Sequence, residues 1–478
     1  MTHSLAETYN DTVYFPSSTA YEDVNEDYWS LSSVLDPACI FTPSTAEEVS
    51  HAISTFQHFG ALFAVKGNGG MPIDGFANIN SSGILLSFEN MKALSLSEDR
   101  SVVTIGPGND WDAVYSFLQP YDLTTVGARL GLVGVSGHLL GGGMTYLSNE
   151  HGFSSTSVVE YECVLANGTI ISATSTSHPD LHWSLRSGGN SFALITAFHM
   201  RTLPTGPIYA GFGTYDSSQT ANWITTVHSQ ALYGDADTAG GVEATATWNP
   251  SAGADDLSYT SYLFYHGDEA QPAILANWTG ALLTPTNPQP LNRTTVAAFS
   301  RSLYGGVPQN LGARTRFAVL GVSAARGGEA AVAAVHDGFF DAARAQLAGV
   351  RGVMAGLVAL PVGKRFVEAN GGAQHVTGAE AGQAPWIWII QTYTWSDAAD
   401  DAAVEGFAER WAGEMGARLE AEGWAEGGLY LNDAERWQNV FASYGEGNLR
   451  KLKEVREEYD PEMVFTGLMP GGWKVADA

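Results

Sequence analysis

Three glycine-dense segments carry the groups in this chain best suited to hold a phosphorylated ligand. They read Val65-Lys66-Gly67-Asn68-Gly69-Gly70-Met71-Pro72, Gly134-Val135-Ser136-Gly137-His138-Leu139-Leu140-Gly141-Gly142-Gly143 and Leu185-Arg186-Ser187-Gly188-Gly189-Asn190-Ser191-Phe192. Glycine lets backbone amides approach a phosphate closely and allows turns that side chains would block. A single run of this kind is also what a plain structural turn looks like, but three in this order point to a bound diphosphate. Two further groups could do chemistry. His138 lies inside the second segment, and Tyr430-Leu431-Asn432 sets a phenol two residues from an amide. A tyrosine acting as a base needs its ordinary pKa of about 10 lowered by a neighbouring cation or dipole. His178 and His182 stand at i, i+4 with no third ligand in sight, so they read as structure rather than zinc. The chain has no Asp-x-Asp-x-Asp-Gly loop for Ca²⁺, and no metal is expected.

Together these segments resemble the FAD-linked oxidases of the vanillyl-alcohol oxidase / PCMH superfamily, in particular the fungal berberine-bridge-enzyme-like branch. The similarity is strong before Thr205 and after Gly428 and weak between them. It implies an α+β fold, with a two-subdomain FAD-binding domain and a substrate domain whose large antiparallel sheet is covered by helices. In that branch the first loop reads Arg/Lys-Gly-Gly-Gly-His-Met-Pro, and its histidine bonds to the flavin 8α-methyl. Here Gly70 stands at that place. In bicovalent relatives a cysteine eight residues before the equivalent of His138 bonds flavin C6, and here that residue is Leu130. The resemblance therefore implies FAD held non-covalently.

It further implies cofactor contacts at Lys66, Gly67, Asn68, Gly69, Gly70 and Met71 in the first segment. Around the second it implies Gly127, Leu130, Val133, Gly134, Val135, Ser136, Gly137, His138, Gly141, Gly142 and Gly143. The third contributes Gly188, Gly189, Asn190, Phe192 and Ile195, and the C-terminal motif contributes Asn432. His138 is expected near the flavin ribityl and N1, stabilising negative charge there. Val133 occupies the place of an oxygen gate, where valine accompanies oxidase behaviour, so O2 is the expected electron acceptor. Tyr430 is the expected base. The reaction implied is hydride transfer from a small, secondary-metabolite-type substrate to flavin N5. The alternative is a redox-neutral cyclase or pericyclase that keeps the same fold and FAD.

Composition narrows the partners. The 478 residues carry 51 acidic and 23 basic side chains, a net charge of −28. Such a field repels nucleic acid and anionic membrane, so a diphosphate must be held by amides and helix N-termini rather than by a basic patch. No apolar run reaches the ~20 residues of a membrane-spanning helix. Cys39 and Cys163 are the only cysteines. In secreted relatives Cys39 pairs with an upstream cysteine, which residues 2–12 do not supply, and residues 1–7 do not read as a secretory leader. The expectation is a reducing, cytoplasmic setting, with secretion as the alternative if the start is truncated. The sequence assigns no oligomeric state.

These groups need positioning elements, and periodicity supplies them. Ser44 with Glu47 predicts a capping box, opening a helix to about Phe59 with Val49, Ile53 and Phe56 on one face. Leu62 to Lys66, Ile84 to Phe88, Val102 to Gly106 and Val158 to Leu165 read as strands, and Asp110 to Leu118 as a helix. Later, Val242 to Trp248, Tyr259 to Tyr265, Arg316 to Val322, Val353 to Leu360 and Trp386 to Trp395 read as long antiparallel strands. Ala-rich helices over Glu329 to Leu347 and Asp397 to Ala421 separate them. On the Trp386 to Trp395 strand, Trp386, Trp388 and Thr392 share one face, while Gln391, Tyr393 and Trp395 share the other. One of these faces is expected to line the substrate pocket. The chain thus divides into an FAD-binding domain over 1–205, a substrate domain over 206–427, and a segment over 428–478 that returns to the first.

Overall fold

The computed structural model describes Leu5 and residues 7–253, 257–286, 290–303 and 312–478. Residues 1–4 and 6, on which the leader reading bears, lie outside them. Among the described residues the strands form three larger sheets and one two-stranded ribbon. The first sheet contains β1 (Val13–Tyr14), β2 (Cys39–Phe41), β3 (Phe63–Lys66) and β4 (Ile84–Ser87), in the order β1-β2-β4-β3. Its last three strands are parallel. The crossover helix Ala46–Phe59 buries Val49, Ala52, Ile53 and Phe56. Its capping box falls one residue later than expected. Thr45 Oγ1 accepts from the Glu48 amide at 3.3 Å, and Glu48 Oε2 accepts from the Ser44 amide at 2.7 Å. Adjacent hydroxyls at 44 and 45 and adjacent glutamates at 47 and 48 make the two registers equal in sequence. β3 runs directly into the first glycine segment, which puts that segment at the carboxyl end of a parallel strand, where α/β sheets bind ligands.

The second sheet is antiparallel, in the order β5-β6-β10-β8-β9. It comprises β5 (Leu94–Leu96), β6 (Val102–Ile105), β8 (Val158–Val164), β9 (Ile170–Thr174) and β10 (Leu194–Arg201). The ribbon pairs β7 (Leu123–Thr124) with β11 (Leu203–Pro204). Helix Trp111–Leu118, capped by Asp110, buries Trp111, Val114, Tyr115 and Leu118. The second glycine segment opens the short helix Val135–Leu140, and the third leads into β10.

The third sheet has seven antiparallel strands in the order β15-β12-β14-β13-β17-β18-β16. They are β12 (Ile208–Asp216), β13 (Gly240–Trp248), β14 (Leu257–Tyr265), β15 (Asn292–Thr294), β16 (Arg314–Ser323), β17 (Met354–Val362) and β18 (Trp386–Trp395). Alternation along β18 splits it between two cores. Trp386, Trp388 and Ile390 join the core that also holds Tyr161, Phe198 and Leu452. Ile387, Ile389, Tyr393 and Trp395 face helices Gly328–Leu347 and Asp401–Ala421. The fold is mixed helix and sheet of the PCMH type. None of its described helices is long and apolar enough to cross a membrane.

Candidate cofactor cavity and active site

A cavity of about 550 Å³ opens where the three glycine segments, β16 and the C-terminal segment converge. That size lies within the usual range for small-molecule sites. Seventeen of the residues expected to act there form its wall: Gly67, Asn68, Gly69, Gly70, Met71, Leu130, Val133, Gly134, Ser136, Gly137, His138, Gly141, Gly189, Asn190, Ile195, Tyr430 and Asn432. They are pinned by hydrogen bonds among themselves and their neighbours. Asn68 Nδ2 donates to Leu132 O at 3.0 Å, Asn432 Nδ2 to His138 O at 3.0 Å, and Asn190 Nδ2 to Gly471 O at 3.0 Å. Close packing requires glycine at Gly141, where an added Cβ would sit 1.8 Å from Asn432 Oδ1.

Seven expected contacts do not line the cavity. The Lys66 ammonium points away, donating to Val24 O at 2.8 Å and lying over the Tyr28 ring. Burial lowers its pKa, and Asp27 opposes that shift. Gly127 packs against the Trp111 ring, and Val135 and Phe192 are fully buried in the core. Gly188 sits beneath Ser184 O. Gly142 and Gly143 turn the chain with φ of 99° and 85°, packing against Ser187 and the His138 ring rather than against a ligand.

The two expected catalytic groups both line the cavity and have partners of their own. His138 Nε2 is hydrogen-bonded to Ser154 Oγ at 3.0 Å, and its ring is enclosed by Trp111 and Gly143. Burial and Arg129 push its pKa down to about 3, so it is a neutral, structurally committed imidazole. The Tyr430 hydroxyl accepts from the Met144 amide at 2.8 Å and Asn432 Nδ2 at 3.1 Å. Burial, then Asp433, raises its pKa well above that of an ordinary phenol, and the donors and Arg129 only partly oppose this. That is the reverse of what a tyrosine base needs. The aromatic face of β18 meets a second cavity. Trp386 and Trp388 line a separate cavity of about 170 Å³ behind Tyr430, and the sheet's contribution to the main wall is Phe317 on β16.

Sequence reasoning missed a charged cluster at the cavity. Arg129 and Asp433 are both in the wall. Arg129 pairs with Glu243 of β13 at 2.5 Å, both side chains being largely buried. Burial pushes the Asp433 carboxyl up to about 6, with Arg129 lowering it and Glu243 raising it. The signal was present but thin: one cation between Ala128 and Leu130, and one acid directly after Asn432. Elsewhere, His178 and His182 are engaged with the Tyr459 hydroxyl and Val158 O, and both cysteines are buried free thiols.

The cavity lies where the glycine segments of the first two sheets meet β16 of the large antiparallel sheet. Residues 37–174 match the family described as FAD binding domain. The FAD-dependent monooxygenase prx3 of Penicillium roqueforti is 32% identical to this chain, over 99% of it and 93% of its own length. The solved 6-hydroxy-D-nicotine oxidase of Arthrobacter nicotinovorans shares the fold with a TM-score of 0.77 at 20% identity, covering 95% of this chain and 96% of that one. A glucooligosaccharide oxidase of Acremonium strictum, which carries a 6-S-cysteinyl, 8α-N1-histidyl FAD, gives 0.77 at 20% identity, with 97% of each chain covered. The chain belongs to the FAD-dependent oxidoreductases of which that Penicillium protein is a member, and it shares the fold of these solved oxidases.

The residues present fit FAD. The wall is formed in large part by glycine-segment backbone, which can approach a diphosphate, and Trp29, Phe76, Phe88 and Trp473 supply apolar surface for the rings. Gly70 faces open space, with nothing within 4 Å of an added Cβ.

Proposed function

We propose that this protein is an FAD-linked oxidase whose flavin is held without a covalent bond, acting on a small, largely apolar substrate. The supporting observation is the composition of the wall. Gly70 and Leu130 occupy it where tethering side chains would have to stand, and neither Cys39 nor Cys163 is among its lining residues. Bound flavin would supply a two-electron acceptor. The chain supplies the rest: glycine-segment amides hold the diphosphate, Asn432 fixes the Val135–Leu140 helix against Tyr430, and the apolar wall excludes water from the reacting face.

Purified protein tests this directly. It should be yellow, and acid precipitation should leave the flavin in the supernatant. A candidate substrate should bleach the absorbance anaerobically, and air should then restore it with release of H2O2. Flavin remaining in the pellet would overturn the non-covalent reading. The name of the Penicillium roqueforti relative favours a second reading, oxygen insertion. Label from 18O2 found in the product, in place of free H2O2, would select it.

A further inference from the structure

Resting on the oxidoreductase reading above, we propose that Asp433 is the catalytic base of this cavity, taking the hydroxyl proton of an otherwise apolar alcohol, and that the Arg129–Glu243 ion pair positions and tunes it. Asp433 lines the cavity and is partly exposed, and its pKa is set by burial, Arg129 and Glu243 with no hydrogen bond contributing. Buried carboxylates ordinarily gather donors. A half-buried one on a ligand-facing wall, with no such donor contributing to its pKa, has acceptor sites free for the ligand. The facing cation is shared, because Arg129 pairs with Glu243 at 2.5 Å and also lowers the Asp433 pKa. The rival base, Tyr430, is held protonated, because burial and then Asp433 raise its pKa well above that of an ordinary phenol despite its two donors.

The groups facing Asp433 come from three segments. Arg129 lies on the 127–134 loop, Glu243 on β13, and Tyr430 one turn back on its own segment, while Tyr146 faces the same ion pair. Burial raises the carboxyl, Arg129 lowers it and Glu243 raises it, leaving it at about 6. It is then ionised at neutral pH yet more basic than an ordinary carboxylate, as a general base requires.

Charge and polarity define the substrate class. One cation against two carboxylates leaves the cluster negative, which repels an anionic substrate. The opposing wall, with Trp29, Phe76, Leu303, Phe317 and Trp473, is apolar. A neutral alcohol satisfies both, donating its hydroxyl to Asp433 and laying its carbon skeleton on the apolar wall. In the reaction the carbinol C–H and O–H bonds break and C=O forms. The hydride, with its electron pair, goes to the flavin as oxidant, and the proton goes to Asp433.

The test uses the holoenzyme and 4-nitrophenol, a hydroxyl ligand with no oxidisable carbinol whose neutral and ionised forms differ in colour. Wild-type protein should hold the probe un-ionised at a pH where half of the free probe is ionised. Its affinity should fall as pH drops through about 6, where Asp433 becomes protonated. Asp433→Asn should bind about tenfold more weakly at neutral pH, as expected for a lost charge-assisted hydrogen bond, and show no step near 6. Glu243→Gln should move that step to lower pH, because a carboxylate that raises Asp433 is gone. Equal affinity and colour in wild type and Asp433→Asn, with flavin still bound, would overturn the role of Asp433 and leave the flavin reading intact. Tighter binding of benzylammonium than of 4-nitrophenol would overturn the alcohol assignment. A preparation that retains no flavin would instead sink the oxidoreductase reading.

Discussion

Position 70 is where side-chain chemistry and backbone geometry can be separated. Gly70 lines the cavity, has a φ outside the left-handed region, and leaves open space where a Cβ would point. Gly70→His should therefore fold and present an imidazole to the flavin. The expected outcome is a covalent adduct, read as one added FAD in the intact mass of the denatured chain. An unchanged mass, with flavin bound before denaturation, would show that the register is wrong. Asp433 makes a second residue-scale prediction. Its folded pKa is raised from 3.8 to about 6, so the folded state binds the extra proton between those values and stability declines as pH rises through them. Asp433→Asn should consequently melt at a higher temperature than wild type above pH 6, by an amount worth up to about 3 kcal/mol, and the gain should shrink towards pH 4. A loss of stability at pH 8 would contradict the buried-carboxylate argument. The glycine segments were legible in sequence because backbone approach leaves a local trace. Arg129, Glu243 and Asp433 were not, because three distant stretches of chain each contribute one charge and only tertiary packing brings them together.

At the scale of elements, β16 is tied to the first glycine segment by a single side chain. Arg316 is 2% exposed and donates to Ser32 Oγ and Pro72 O at 2.6 Å, to Asp74 at 2.7 Å and to Glu405 at 2.6 Å, with Glu435 at 3.7 Å. It holds the Met71–Pro72 end of the loop against the sheet that roofs the cavity. Arg316→Met removes a buried hub, but Asp74 and Glu405 are nearly half exposed and Asp74 and Glu435 keep Arg436, so the cost should be about 1–3 kcal/mol, chiefly from the lost buried hydrogen bonds. The melting temperature should fall accordingly, and flavin should leave faster on gel filtration. Arg316→Lys should rescue little, since one ammonium cannot span the positions that a guanidinium fork reaches. Strand and helix periods were readable here: β18 spans the expected Trp386–Trp395, and β3, β4 and β6 agree to within a residue or so. What periodicity could not decide was which face of β18 meets which layer. Both faces are aromatic and apolar, and the sheet is buried on both sides.

For the whole molecule, the question is how a chain with a net charge of −28 retains a cofactor bearing a diphosphate. The cations nearest the cavity are already committed. Lys66 is bonded to Val24 O, Arg129 to Glu243, and Lys474 to Asn190 Oδ1 at 2.9 Å. Burial lowers the Lys474 pKa to about 7, so at neutral pH it carries only part of a charge. Local amides must therefore attract the diphosphate against a repulsive long-range field. The two contributions respond differently to salt. Contacts within the closed cavity are screened little, whereas the field of exposed carboxylates decays over ~30 Å at 0.01 M ionic strength and over ~3 Å at 1 M. Raising salt should then leave FAD affinity unchanged or improve it, and should speed association, because only the repulsive part is removed. Reconstitution of deflavinated protein at low and high ionic strength, followed by flavin fluorescence quenching, measures this. A steep loss of affinity with salt would mean that lysine or arginine charge, rather than the glycine backbone, holds the phosphates.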